Sequence, residues 1–188
     1  MVSASSVEAS VVERMICRLE HRGPDESGIW SGPGCVLGHQ RLSIIDLSPT
    51  GSQPMADERG RLVVAFNGEI FNFRRLREEL VAMGLAFRGT SDTEVLLHGF
   101  RAWGDALPEK LLGMFAVAVW DSERKRLVMV RDRYGKKPLF YTQEKGRLIF
   151  ASELEALLGG MERQPSVSPQ GFASYARFGY VPGVETTY

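Results

Sequence analysis

The segment 67–72, Asn-Gly-Glu-Ile-Phe-Asn, constrains the fold most, because a strand pattern ends there and a helical pattern begins. Residues 62–66 are apolar at every position, which predicts a strand buried on both faces. Residues 73–83 repeat large apolar side chains at helical spacing, with charged residues between them. The Asn-Gly pair taken alone favours a hairpin turn. The alternative is a site where an amide, an unhindered backbone N–H and a carboxylate meet one small ligand.

Size and charge limit the classes of function. The chain has 188 residues, enough for one domain with a sizeable core or for two very small ones. Its 23 Lys and Arg residues balance 23 Asp and Glu residues, so we expect no nucleic-acid partner. No apolar run reaches the length of a membrane span, and the Ser-rich start lacks the layout of a secretion signal. We therefore expect no membrane partner and a cytoplasmic location.

Cysteine and histidine content argues against a disulfide framework and a metal site. Cys17 and Cys35 do not have a metal-type spacing, and the three histidines are scattered along the chain. Cys17 falls within a predicted helix, where a small core or flanking residue is expected rather than a nucleophile.

Periodicity predicts an α+β domain. An apolar stripe over 11–19 predicts a helix that Gly23-Pro24 ends, and Ser91-Asp92-Thr93-Glu94 has the form of a capping box that opens another. Asp92 would then be an acid in a first helical turn, favoured by the helix dipole. The remaining predictions are a hairpin over 29–45, a loop over 48–54, an antiparallel meander of strands at 115–120, 127–131, 139–142 and 148–151, and helices at 153–158 and 169–178.

Seven short segments, in this order, resemble one family. They are His21-Arg22-Gly23-Pro24-Asp25, Arg41-Leu42-Ser43-Ile44-Ile45-Asp46, residues 67–72, Ser91-Asp92-Thr93-Glu94, Gly113-Met114-Phe115-Ala116, Arg131-Asp132-Arg133-Tyr134-Gly135 and Phe150-Ala151-Ser152-Glu153. The ordered set resembles the class II glutamine amidotransferase domain of glutamine-hydrolysing asparagine synthetase. The resemblance implies an N-terminal-nucleophile hydrolase fold, a four-layer α/β/β/α sandwich of antiparallel sheets. It places the amidotransferase domain at 11–160, with 161–188 starting a linker toward an ATP-dependent synthetase domain.

The resemblance also implies a glutamine pocket. Arg41 resembles the arginine that holds the α-carboxylate of glutamine, a task that suits a planar guanidinium fork. Without the family, Arg41 reads as a surface arginine at a strand end. The backbone of Leu42, Ser43, Ile44 and Ile45 would line the pocket, although their side chains are equally suited to the core.

Four further residues complete the implied site. Asn67 and Gly68 resemble an oxyanion hole, whose donors each contribute about a hundred- to a thousand-fold in turnover. Glu69 and Asp92 resemble the pair that accepts hydrogen bonds from the α-ammonium group of glutamine. A free amino acid offers one cation, one anion and a side-chain amide, and this set matches all three.

The start of the sequence departs from the family pattern. Members open Met-Cys-Gly-Ile on an apolar strand, and the cysteine is the nucleophile with its own α-amine as base. This chain opens Met1-Val2-Ser3-Ala4-Ser5-Ser6, so we expect the first strand to be missing and glutamine hydrolysis to be absent. Processing to expose Ser3 or Ser5 is the alternative, disfavoured by the Ser/Ala run. Without a buried strand, the domain would lose roughly 5–10 kcal/mol of stabilisation from apolar burial, which predicts marginal stability or an open sheet groove.

Three hypotheses for function follow. The first is the glutaminase part of an asparagine synthetase-like enzyme, in which hydrolysis of L-glutamine supplies ammonia for amide formation and the nucleophile strand lies upstream. The second is a non-catalytic glutamine-binding pseudoenzyme, and the third an unstable gene fragment. No cofactor is expected in this chain, since ATP and magnesium belong to the synthetase domain or subunit that would be its partner. The amidated acceptor stays open.

Overall fold

The computed structural model describes residues 1–3, 8–183 and 186–187, which form two antiparallel sheets with helices on the outside. The order is β2-β3-β1-β9-β8 in the five-stranded sheet and β4-β5-β6-β7 in the four-stranded sheet. The strands are β1 (Val2–Ser3), β2 (Glu26–Gly32), β3 (Cys35–Arg41), β4 (Met55–Ala56), β5 (Leu62–Ile70), β6 (Gly113–Asp121), β7 (Arg126–Arg131), β8 (Phe140–Glu144) and β9 (Arg147–Ala151). The helices are α1 (Ala9–Cys17), α2 (Phe73–Ala82), α3 (Asp92–Trp103), α4 (Leu107–Lys110), α5 (Leu154–Gly160) and α6 (Pro169–Phe178).

Three apolar clusters show how the layers pack. One lies between the four-stranded sheet and helices α2 and α3, around Leu76, Leu80 and Leu96. A second lies between the five-stranded sheet and helices α1 and α5. The third lies between the two sheets, around Leu37 and Trp120. The order of layers is therefore helix, sheet, sheet, helix, as the family resemblance implied.

Alternation along β3 explains how one strand serves two layers. Val36 packs toward α1, whereas Cys35 and Leu37 pack toward the other sheet. Successive side chains of a strand point to opposite faces, so Arg41 lies on the same face as Leu37. That face borders the space between the sheets.

The structure corrects the expectation that the first strand is missing. Val2–Ser3 form β1, which opposes Cys35 on one side and Leu148 with Arg147 on the other. The strand forms because a short extended segment here supplies partners to two neighbouring strands at once. It is only two residues long, so it covers one end of its neighbours. Ser5 and the other residues at 4–7, including one of the two proposed serine nucleophiles, lie outside the described residues.

Two other expectations about strands are wrong. The four strands after residue 113 do not form one meander, because β6 and β7 belong to one sheet and β8 and β9 to the other. Asn67-Gly68 does not form a hairpin turn, because both residues pair within β5 opposite Ala116 and Phe115. For Asn67-Gly68, long-range pairing with β6 overrides the local turn preference.

Among the helices of the described ranges, none is both long and apolar enough to cross a membrane. Helix α6 has the predicted bounds and a Ser168 cap, whose hydroxyl accepts a hydrogen bond from the Gly171 N–H. Helix α3 likewise begins after Ser91, whose hydroxyl accepts from the Glu94 N–H at 3.2 Å.

Candidate functional site

A cavity of about 310 Å³ opens between the two sheets and under α1. It brings together residues that the sequence spreads over some fifty positions. The predicted site residues that line it are Arg41, Leu42, Ile44, Ile45, Asn67, Gly68, Glu69 and Asp92. Ser43 does not line it, and its backbone N–H instead donates to Oδ2 of Asp25 at 2.8 Å.

The Asn67 side chain has an unused hydrogen-bond donor at this cavity. Its Nδ2 is buried and has no partner among the described residues. Buried amide donors are normally satisfied, since leaving one unpaired costs about 1–3 kcal/mol. A ligand atom in the cavity that accepts a hydrogen bond would relieve this cost.

The backbone N–H of Gly68 lies on an open strand edge. The Phe66 N–H donates to Oε1 of Gln53 at 2.7 Å, and the Ile70 N–H donates to Oδ2 of Asp92 at 3.1 Å. Alternate residues of a strand direct their backbone groups to the same edge, so the Gly68 N–H lies between these two and away from β6. No described side chain accepts a hydrogen bond from it. Strand geometry therefore places this N–H next to the unpaired Nδ2 of Asn67.

Position 68 requires glycine. Its φ of +147° is in the region that side chains rarely adopt, and a Cβ there would lie 2.0 Å from the carbonyl oxygen of Met114. The close approach of β6 therefore leaves room only for hydrogen at this position.

Two acids border the same cavity. Asp92 is buried at the first turn of α3, and this burial raises its pKa, with the charge of Glu69 acting in the same direction. The Glu69 carboxylate makes no hydrogen bond or ion pair within the described ranges. A cation between the two acids would stabilise both charges. Lys137 is the cationic side chain that borders the cavity from the loop after β7.

Arg41 is buried and fixed by the loop that follows it. Its Nη1 donates to Oε2 of Glu26 at 2.9 Å and to the Ser48 carbonyl at 3.2 Å, and its Nη2 donates to the Asp46 carbonyl. These bonds use three of the five guanidinium N–H groups, leaving Nε–H and one Nη2–H for a ligand. The sequence alternative of a surface arginine is wrong, because Arg41 is only 7% exposed.

Asp46 holds the Arg41 loop against the start of α3. Its Oδ2 accepts from the N–H and hydroxyl of Thr90, at 2.8 and 3.1 Å, and its Oδ1 accepts from Ser48. The hydrogen bonds from the Ser48 side chain and the Thr90 backbone hold the pKa of this carboxyl far below its usual range. The carboxylate thus fixes the distance between Arg41 and the helix that carries Asp92.

Sequence reasoning missed two residues that position the strand end. His39 Nε2 lies 3.0 Å from the Phe66 carbonyl, and the Phe66 N–H donates to Oε1 of Gln53. Because a carbonyl only accepts, His39 carries its proton on Nε2, and burial lowers its pKa. Its Nδ1 is buried without a partner among the described residues. Alternation was the available signal, since His39 shares a strand face with Arg41.

Two family motifs tie together the segments around the site. Arg22 donates to Oε1 of Glu153 at 2.7 Å, which ties the segment before β2 to the end of β9. Asp132 accepts backbone N–H groups from the following loop and from Phe115. Burial alone would raise the pKa of Asp132, but these hydrogen bonds outweigh it and lower the pKa to about 2.

Neither cysteine lies at the cavity. Cys17 is exposed on α1, and Cys35 is buried between the sheets, where burial raises its pKa to about 11. A thiol with that pKa is almost wholly protonated at neutral pH and is a poor nucleophile. The part of the chain that the structure describes also holds no group of His, Cys, Asp and Glu residues suited to a metal ion.

From the sequence, the side chains of residues 42–45 were equally suited to the core, but two of them are exposed. Leu42 and Ile44 are 53% and 73% exposed, because β3 ends at Arg41 and the chain continues as a loop at the cavity mouth. These apolar side chains flank the entrance.

Comparison with solved structures identifies the class of fold. The glutamine phosphoribosylpyrophosphate amidotransferase from B. subtilis superimposes with a TM-score of 0.70 at 22% identity, over 82% of this chain and 41% of that one. Together with the layer order and the antiparallel sheets, this defines an α+β fold of the N-terminal-nucleophile type seen in class II amidotransferases.

Sequence comparison identifies the family. The family model for the glutamine amidotransferase domain matches residues 1–188. Glutamine-hydrolyzing asparagine synthetase 3 of Bacillus subtilis (strain 168) is 40% identical over 168 residues, which cover 88% of this chain and 27% of that protein. Amidase chry2 of Gibberella zeae is 40% identical over 158 residues, covering 81% of this chain and 23% of that protein. The chain belongs to the class II glutamine amidotransferase domain family and spans about a quarter of the length of these relatives.

Proposed function

We propose that the cavity between the sheets binds L-glutamine. The observation that carries the proposal is the unpaired Nδ2 donor of Asn67, which lies beside Gly68, two acids and a buried arginine in one cavity. A carbonyl oxygen of a side-chain amide would accept from both donors. The α-ammonium group would lie between Glu69 and Asp92, and the α-carboxylate would meet the remaining N–H groups of Arg41.

Electrostatics supports this orientation of the ligand. Burial and Glu69 disfavour the charged form of Asp92, so a cation gains most beside these acids. Arg41 lies on a different strand, so its guanidinium group provides the opposite pole. A ligand with both an ammonium and a carboxylate group satisfies the two poles together, whereas a simple amide satisfies neither.

In a longer enzyme, we propose that the bound glutamine is hydrolysed and that the ammonia serves amide formation. The oxyanion that develops on the attacked carbonyl would accept hydrogen bonds from Asn67 Nδ2 and the Gly68 N–H. The nucleophile would come from outside the described cavity residues, since Cys17 and Cys35 lie elsewhere. The chain as given should therefore bind glutamine and release no ammonia from it.

Calorimetry with a charge-removing variant tests the binding proposal. Glu69→Gln keeps the shape of a side chain that makes no hydrogen bond within the described residues, so it removes a charge and little else. We expect saturable binding of L-glutamine and at least about tenfold weaker binding by Glu69→Gln, because a charge-assisted hydrogen bond contributes about 1.5–3 kcal/mol. Glu78→Gln on the exposed face of α2 is the matched control and should bind like the parent.

The proposal fails if a folded sample, shown by a cooperative melt, gives no heat and no thermal shift with L-glutamine. It also fails if Glu69→Gln binds as tightly as Glu78→Gln. Release of ammonia from glutamine above the buffer rate would contradict the separate expectation that the chain lacks a nucleophile.

A further inference from the structure

The side chain of His39 faces the space between the two sheets. It shares a face of β3 with Leu37, which packs in the cluster between the sheets, and with Arg41. It also lines the cavity proposed to bind glutamine. The ring is anchored there, since its Nε2 lies 3.0 Å from the Phe66 carbonyl oxygen. A carbonyl only accepts, so this contact requires the proton on Nε2 and leaves the lone pair on Nδ1.

The anchoring carbonyl of Phe66 is next to the Gly68 N–H along the edge of β5. Phe66 directs this oxygen to His39, away from β6, and Gly68 lies two residues further and directs its N–H to the same edge. Asn67 lies between them in sequence and shares a strand face with Ala65, which packs between the sheets. The imidazole ring is therefore held beside both proposed donors.

Asn67 and His39 carry buried polar atoms of opposite type. Nδ2 of Asn67 is a donor and Nδ1 of His39 is an acceptor, and neither has a partner among the described residues. Within those residues, these are the two unpaired buried side-chain atoms whose residues line the cavity. A primary amide complements both, because its carbonyl oxygen accepts and its NH₂ group donates. A carboxylate offers acceptors alone.

We propose that His39 determines the specificity of this site for a side-chain amide over a side-chain carboxylate. This role depends on the glutamine binding proposed above. The amide oxygen would accept from Asn67 and Gly68, and the amide NH₂ would donate to Nδ1 of His39. L-Glutamate, the product of the proposed hydrolysis, would instead hold a carboxylate oxygen against the Nδ1 lone pair. The site would reject glutamate because the buried acceptor then stays unpaired.

Two substitutions at position 39 separate the roles of the two ring nitrogens. His39→Gln has an amide nitrogen that reaches the position of Nε2, so it keeps a donor for the Phe66 carbonyl but loses the acceptor at Nδ1. His39→Asn has an amide oxygen near the position of Nδ1, so it keeps the acceptor but loses the contact with Phe66. A role in specificity predicts that His39→Gln changes the ligand preference, whereas a purely structural role predicts this of His39→Asn.

Calorimetry with three ligands measures the preference. They are L-glutamine, L-glutamate and L-glutamate γ-methyl ester, which is uncharged at its side chain and keeps the carbonyl oxygen but has no side-chain N–H. We expect the parent to bind glutamine at least about tenfold more tightly than either of the others. In His39→Gln, the preference for glutamine over the ester should fall at least about fivefold, because the acceptor for its NH₂ is gone. In His39→Asn, the affinities should fall together as the strand end loosens, so that the preference changes by less than about twofold.

The nitrogen NMR signal of His39 Nδ1 provides a direct readout in the parent protein. An unprotonated imidazole nitrogen changes its resonance frequency when it accepts a hydrogen bond. L-Glutamine should therefore move this signal saturably, with the dissociation constant found by calorimetry, and the ester should leave it in place. The signals of His21 and His98, which do not line the cavity, are internal controls.

Four results would overturn the proposal. They are equal affinity of the parent for glutamine and the ester, an unchanged preference in His39→Gln, a lost preference in His39→Asn alone, and an Nδ1 signal that stays in place at saturating glutamine. Each can occur with glutamine bound, so none of them contradicts glutamine binding itself. A folded parent that binds no glutamine would overturn both proposals. If His39→Gln did not fold, the Nδ1 signal of the parent would still decide.

Discussion

The two sheets of the sandwich share antiparallel pairing but differ in how completely their middle strands pair. In the four-stranded sheet, β5 and β6 pair without interruption from Leu62 opposite Asp121 to Ile70 opposite Gly113. In the five-stranded sheet, the middle strand is two residues long, and a cavity continues from its end. One sheet is thus a closed scaffold, and the other is open at its centre.

The candidate site lies where the closed sheet meets the open one. The closed sheet fixes Asn67 and Gly68 by their pairing with β6, while the open sheet provides Arg41 and the space for a ligand. An unpaired hydrogen-bond donor lowers the stability of the fold. A rigid strand end can keep such a donor unpaired, whereas a donor on a flexible loop would move to another partner. A continuous sheet can thus support a site in the gap of its neighbour.

The largest expected effect is on the free energy of unfolding when a buried leucine is shortened, and it should differ between the closed and the open sheet. Leu80→Ala empties a fully buried position between α2 and the closed sheet and should lower the free energy of unfolding by about 4 kcal/mol. Leu37→Ala removes the same atoms at a position that borders the existing cavity, so less new void forms and the loss should be about 2 kcal/mol. Urea denaturation of both variants measures the difference. Equal losses would contradict the division into a closed and an open half.

A glycine pair tests the rigidity of the strand end. Gly68→Ala should lower the free energy of unfolding by about 3 kcal/mol, because backbone strain costs about 1–3 kcal/mol and the new methyl group meets the Met114 carbonyl. Gly60→Ala also places alanine at a positive φ, +64°, but with no atom within 4 Å of the new methyl group. It should cost about 1 kcal/mol. Thermal melts of the two variants provide the comparison, and a Gly68→Ala protein as stable as Gly60→Ala would contradict it.

The smallest of these effects is the contribution of the Asp46 carboxylate to stability, which depends on pH. Its pKa is lowered in the folded state by hydrogen bonds from Ser48 and Thr90, so the folded state favours the carboxylate. This contribution is fully present above the unfolded pKa of about 3.9 and is lost as pH falls toward the folded value. Asp46→Asn should lower the free energy of unfolding by about 1–2 kcal/mol at pH 7.

The acid limb of the stability curve provides the check on Asp46. The parent protein should lose stability between pH 4 and pH 2, a range to which Asp132, with its pKa lowered to about 2, also contributes. Asp46→Asn should lose less over the same range, because one of the carboxylates that must be protonated is gone. Parallel curves for the two proteins would show that Asp46 does not hold the loop through its charge.

Much of the fold follows from local pattern in the sequence. Helix α6 has the predicted bounds of 169–178 because Ser168, Pro169 and the apolar spacing agree. Residues 62–66 predict a strand buried on both faces, and Val63, Val64 and Phe66 are buried. These features depend on neighbours in sequence, so the sequence reveals them.

The errors concern partners that are distant in sequence. Nothing in the turn between β7 and β8 indicates that the chain changes sheet there. The pairing of Val2 with Leu148 and Cys35 likewise depends on two strands more than thirty residues away. His39 and Gln53 were missed as positioning residues because their shared target is a backbone group, Phe66, which no side-chain motif reveals.

The central claim is that the free donors of Asn67 and Gly68 receive the side-chain carbonyl of L-glutamine. The most direct measurement is an NMR titration that follows the Asn67 side-chain NH₂ and the Gly68 backbone amide while L-glutamine is added. We expect both signals to move in a saturable manner with one dissociation constant, and D-glutamine to move them far less. Saturating L-glutamine that leaves both signals in place would contradict the account.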